Sequence, residues 1–227
     1  MTKSNKILGA LAILGVSAVM ASCGGGSGSS GKKLASNEFL GDMPNLVYQR
    51  ALKDSINDAK KYAEREKFKE KASFDKSDME KFKKMEEGFD AEEQAVKDQF
   101  NADVEKVKPS LVGKDIPFEM EEGCGYEISS LKISGVERSV AVEFDVKITD
   151  ESALKVFNWM TVCFYFQALD KDGNLIGKDY YGESRHTTID MSQKNGTTAK
   201  GTLYLVVKED AAEMVNFAKI KFVNKPK

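Results

Sequence analysis

Val140-Ala141-Val142-Glu143-Phe144-Asp145-Val146-Lys147-Ile148 alternates apolar and polar side chains without a break. In an extended chain successive side chains point to opposite faces, so this stretch predicts a strand with one face in a core and the other in water. Residues 157–169 read differently. Met160, Val162, Phe164, Phe166 and Ala168 fall on one side, while Trp159, Thr161, Cys163, Tyr165 and Gln167 fall on the other. Apolar and aromatic residues on both sides predict a central strand whose second face is covered or binds something.

Outward from this pair the same grammar continues. Asp170-Lys171-Asp172-Gly173-Asn174 supplies the turn residues that lead into a further strand over 175–181, and more strands are expected at about 184–192, 199–207 and 218–223. A short helical turn over 211–217 should join the last two. Short strands at this spacing predict an antiparallel immunoglobulin-like β-sandwich over 113–227. Upstream, residues 44–107 are rich in Lys, Glu, Asp, Ala and Gln, with no proline between Pro44 and Pro109 and a single glycine, Gly88. Val47, Ala51, Leu52, Ile56, Ala59 and Ala63 recur at three-to-four spacing, as do Phe82, Met85, Phe89, Val96, Phe100, Val104 and Val107. Ser77 with Glu80 has capping-box spacing between the two stripes. A helical hairpin over 44–112 is expected, with one long charged helix as the alternative. The chain as a whole is then α+β, a helical hairpin followed by a sandwich. The hairpin's apolar stripe needs a partner, and the second face of the 157–169 strand is the expected one.

The N-terminus carries an address. Residues 1–6 are basic, residues 7–20 are apolar but too short to span a bilayer as a stable helix, and Met20-Ala21-Ser22-Cys23 follows. This ending resembles the bacterial lipobox, which implies removal of 1–22 and lipidation of Cys23. Each buried methylene contributes about 0.8 kcal/mol, so two or three acyl chains anchor a protein durably. The implied location is the cell envelope, periplasmic or surface-facing. Residues 24–33, GGGSGSSGKK, have almost nothing to bury and read as a flexible tether reaching roughly 15–20 Å by random-coil scaling. Counted with Cys23 and the residues before the first helix, the tether region is 23–43. Of the 34 basic residues Lys3 and Lys6 leave with the signal, against 36 acidic residues that stay, so the mature chain is mildly acidic. Nothing in that balance points to nucleic acid.

A second resemblance rests on Phe164-Tyr165-Phe166-Gln167-Ala168-Leu169-Asp170, the Asp170–Asn174 turn, a Gly-Thr-Thr segment at 196–198 and Gly201-Thr202-Leu203-Tyr204-Leu205-Val206-Val207. Together these resemble the FxLYD and related immunoglobulin-like domains of bacterial surface proteins. The resemblance implies a fold and no active site.

Reactive groups are sparse. His186 is the only histidine, no Gly-x-Ser-x-Gly elbow accompanies it, and the sequence predicts neither catalytic triad nor zinc site. Asp170, Asp172 and Asn174 have the start of an EF-hand spacing, but Leu175 and Tyr181 stand where that loop needs Gly and Glu, so a turn is expected and no cofactor or metal. Cys124 and Cys163 are open to either a disulfide or two separate thiols. The aromatic constellation Trp159, Tyr165, Tyr180 and Tyr181 is the candidate ligand or packing face. A non-catalytic binding module for a protein or glycan partner is therefore expected, the alternative being a cell-envelope hydrolase using a carboxylate pair such as Glu119 with Glu121 or Glu122.

Overall fold

The computed structural model describes residues 32–73, 75–158, 160–177 and 184–224. Helix α1 (Met43–Lys71) opens with Pro44 in its first turn, where a missing N–H breaks no hydrogen bond. Helix α2 (Lys76–Leu111) is capped by Asp75, whose carboxylate accepts the Asp78 N–H at 2.9 Å. Ser77 thus lies inside the helix, and the cap expected there is displaced by an aspartate whose ionised acceptor suits the positive end of the helix. The chain reverses between the helices, so the single-helix alternative is excluded. Lys60 meets Glu92 at 2.7 Å, Lys61 meets Asp90 at 3.7 Å and Arg65 pairs with Glu86 across the antiparallel interface. Near the tip Phe68 and Phe82 pack with ring centroids 5.2 Å apart.

Eight strands follow among the described residues: β1 (Phe118–Met120), β2 (Tyr126–Val136), β3 (Val140–Ile148), β4 (Lys155–Asn158), β5 (Thr161–Asp170), β6 (Arg185–Asp190), β7 (Thr198–Leu205) and β8 (Phe217–Val223). One sheet has the order β2-β3-β7. The other has five strands: β1-β8-β5-β4, with β6 paired along β5 as well. The pairings β3 with β7 and β5 with β8 are those of the second strand with the fifth and the third with the sixth in an immunoglobulin sandwich. One pairing departs from the antiparallel expectation. β1 runs parallel to β8 and fills the edge place that a last strand would take. The single strand expected over 157–169 is instead a hairpin of β4 and β5, and Met160 sits in its turn, 46% exposed, rather than on the inner face.

Phe144, Phe164, Phe222 and Tyr126 meet between the sheets, with Tyr126 and Phe164 centroids 4.8 Å apart and Phe144 and Phe222 centroids 5.5 Å apart. Gly201 on β7 makes room for them: a Cβ there would lie 2.3 Å from the Phe144 ring. The base of the hairpin belongs to this core, since Val47, Phe100, Val104 and Leu111 join the same buried cluster. Its main contacts run to β2 and to the short 3-10 turn Glu213–Asn216, not to the second face of β5 as the sequence led us to expect. Residues 34–42, counted with the tether on sequence alone, are docked. The Asn37 amide donates to the Val215 and Phe217 carbonyls at 3.0 and 2.7 Å, its oxygen accepts the Phe39 and Leu40 N–H groups, and Leu40 is fully buried.

A buried ion pair, Arg185 with Asp210, ties the start of β6 to the chain ahead of the 3-10 turn. Gly177 closes over it with φ 65°, where a Cβ would stand 2.9 Å from an oxygen of Asp210 and a nitrogen of Arg185, and its N–H donates to Glu213 at 2.8 Å. Only glycine meets both demands.

Candidate functional site

The two sheets present unlike outer faces. On the three-stranded sheet Lys200 bonds Glu143 at 2.6 Å and reaches Asp145 at 3.5 Å, and Ser130 donates to Asp145 at 2.7 Å. The Ser130 hydroxyl, helped by Lys200, holds the Asp145 carboxyl below its ordinary range, and the Glu143 carboxylate raises Lys200. On the five-stranded sheet the outward residues of β5, namely Thr161, Cys163, Gln167 and Leu169, are each less than 10% exposed. Tyr165, half-buried among them, has its ring 6.3 Å from that of His186 on the paired strand β6. Burial pushes both the Tyr165 phenol and the Cys163 thiol up.

At one end this face runs into a groove of about 880 Å³, lined by Glu151, Met160, Asp190, Met191, Gln193 and Lys194 among others. Three connections build it: the turn between β4 and β5, the stretch after β6, and the 3-10 turn Glu151–Ala153 that follows β3. Their placement is fixed by local bonds. Thr161 donates to Asp190 at 2.7 Å, the Met191 N–H donates to the Met160 carbonyl at 2.8 Å, and the Glu151 N–H donates to Asn195 at 2.8 Å. Methionine side chains supply an adaptable apolar surface, and the carboxylates, amide and ammonium around them offer hydrogen-bond donors and acceptors. This groove was not legible in the sequence, because its residues come from segments about 40 positions apart that carry no shared motif.

Of the residues singled out on sequence, Tyr165 lies on the β5 face, while Cys23, Trp159, Tyr180 and Tyr181 lie outside the described residues. Cys124 and Cys163 are free thiols, both buried, and burial raises both. Glu119 pairs with Lys219 and lies 4.0 Å from Lys221, Glu121 accepts the Asn224 N–H at 2.8 Å, and Glu122 is exposed. The Asp170–Asn174 segment is the expected turn: one Asp170 oxygen accepts the Asp172 and Asn174 N–H groups at 2.9 and 2.8 Å, and the other accepts the Asn174 side chain. Among the described residues no three His, Cys, Asp or Glu side chains are grouped to hold a metal ion, and no helix is long and apolar enough to cross a membrane.

Compared with protein-family models, curated proteins and solved structures, the chain matches none of them.

Proposed function

We propose that this chain is an extracytoplasmic lipoprotein, anchored in the cell envelope through a lipid on Cys23, whose body is a non-catalytic module binding a glycan or protein partner. The binding surface is the groove between Met160 and Lys194 together with the half-buried Tyr165 of β5 and the adjoining exposed outer face of β6. The observation that carries this reading is the groove's position. The chain enters the body at residues 34–40, beside the start of β8, whereas the groove opens at the other end of the strands. β5 alone spans 10 residues, which at ~3.3 Å per residue separates the two ends by about 30 Å. The point at which the folded body begins is thus at the opposite end of β5 from the groove.

The carboxylates of the hydrolase alternative favour binding over catalysis. Glu119 and Glu121 are engaged in bonds that hold β1 against β8 and the chain end. The reading is tested in two steps. Cys23→Ala should move the protein from the membrane to the soluble fraction or leave an uncleaved precursor, and unchanged fractionation and mass would remove the anchor. The detergent-solubilised chain should bind components of an envelope glycan or protein array, and Met160→Asp with Lys194→Glu should weaken that binding about tenfold or more. Turnover of a hydrolase substrate that survives these changes and is lost with Glu119→Gln would sink the binding reading.

A further inference from the structure

At the end opposite the groove, the hairpin leaves a crevice against the sandwich. Its inner recess, about 190 Å³, has a floor of Val47, Ala51 and Phe100 and a rim of Arg50, Arg138 and Lys208, with Asp54 beside Arg50. A second recess of about 220 Å³ shares Arg50, Asp54 and Lys208 and continues along the helices, where Asp58, Glu92 and Glu93 stand against Lys61 and Lys97. The cations of the inner recess arrive from three places: α1, the β2–β3 turn and the chain just beyond β7. Arg50 is held on two sides. Its guanidinium lies 4.8 Å from the Phe100 ring centroid, and its Nε is 3.5 Å from an Asp54 oxygen. Arg138 and Lys208 are exposed and make no ion pair or hydrogen bond with another side chain among the described residues. Lys208 opens a turn two residues beyond Val206, a fully buried β-branched residue with φ 59°. Such a conformation costs about 1–3 kcal/mol and persists only where packing over-determines it.

Three cations against one carboxylate rim the apolar floor of the inner recess, which the outer recess, with its balanced charges, does not share. We propose that the inner recess binds a small amphipathic anion, a carboxylate or phosphate monoester. Its charged head sits among Arg50, Arg138 and Lys208, and its apolar body lies on Val47, Ala51 and Phe100. A guanidinium already oriented by stacking and by Asp54 presents its remaining donors to such a head with little further ordering. The recess holds on the order of six water volumes at ~30 Å³ each, enough for one ring or a short chain.

Equilibrium dialysis of the detergent-solubilised full chain against radiolabelled benzoate and phenyl phosphate tests this. Saturable binding at one site is expected, with a dissociation constant of about 1 mM or tighter. The double variant Arg138→Ala, Lys208→Ala changes two exposed residues, so its thermal melt should match the parent while affinity falls about tenfold or more. Whichever probe binds more tightly identifies the head group. The proposal is overturned by absence of saturable binding, by equal affinity in a normally folded double variant, or by neutral benzyl alcohol competing as well as benzoate. Inorganic phosphate competing as well as phenyl phosphate would equally overturn it, since the apolar floor would then contribute nothing.

Discussion

β3 and β5 are both flanked by strands on two sides, and both send large apolar side chains into the same core, yet their outer faces have opposite character. Ala141, Glu143 and Asp145 on β3 are half-exposed and Lys147 is exposed, with Glu143 paired to Lys200 of β7 and Asp145 bonded by Ser130 of β2. Thr161, Cys163, Gln167 and Leu169 on β5 are buried, with Tyr165 half-buried between them. A sandwich needs only one buried face per sheet. The second buried face of β5 is therefore surplus to holding the two sheets together, and it leads into the groove that we assign to binding.

The inner faces should behave alike. Phe144→Ala on β3 and Phe164→Ala on β5 each remove a fully buried ring, and each should cost about 3–5 kcal/mol in denaturant melts. A difference of several kcal/mol between them would mean that the two strands do not share one core. The outer faces should then separate. Cys163→Asp places a charge in a buried position and should cost at least about 2 kcal/mol, whereas Ala141→Asp, on the solvated face, should stay within about 0.5 kcal/mol. Equal costs would erase the contrast between the strands.

A smaller effect lies between the sheets. The Tyr126 hydroxyl is buried, with only the weakly bonding Cys124 thiol beside it among the described residues, and burial drives its phenol strongly upward. Tyr126→Phe removes that poorly satisfied group and should raise stability by about 1 kcal/mol, and a loss of stability would show that the thiol contact satisfies the hydroxyl. The smallest effect belongs to the charges on the outer face of β3. Asp145 has its folded pKa depressed below 3.8, so its contribution to stability is present above that value and is lost as pH falls through the lower folded value. In melts, Asp145→Asn should trail the parent near neutral pH and converge with it in acid. Parallel curves at all pH values would show that the Ser130 bond contributes nothing.

The contrast between the strands also governs what could be read from sequence. β3 was legible to the residue because its alternation is unbroken. β2 was not, although Tyr126, Ile128, Leu131, Ile133 and Val136 are all buried, because register shifts between Ile128 and Ser130 and between Ile133 and Gly135 break the two-residue period. β4 and β5 read as one strand because Met160, which sits in the turn before β5, looks like a strand residue. The hairpin was legible from its stripes, but not the place where it docks, since a stripe records that a face is buried and not against what. Asn37 was hidden in a polar stretch. Its role rests on two carbonyls about 180 positions away, a relation that no local pattern carries. The groove and the cationic recess were invisible for the same reason.

Tyr165→Ala tests the central assignment most directly, with a denaturant melt and array binding measured on the same preparation. A working face predicts a stability loss of about 1 kcal/mol or less and a drop in binding of about tenfold or more. A loss of about 3 kcal/mol or more, with binding to the array unchanged, would make the β5 face a second packing layer and contradict the account.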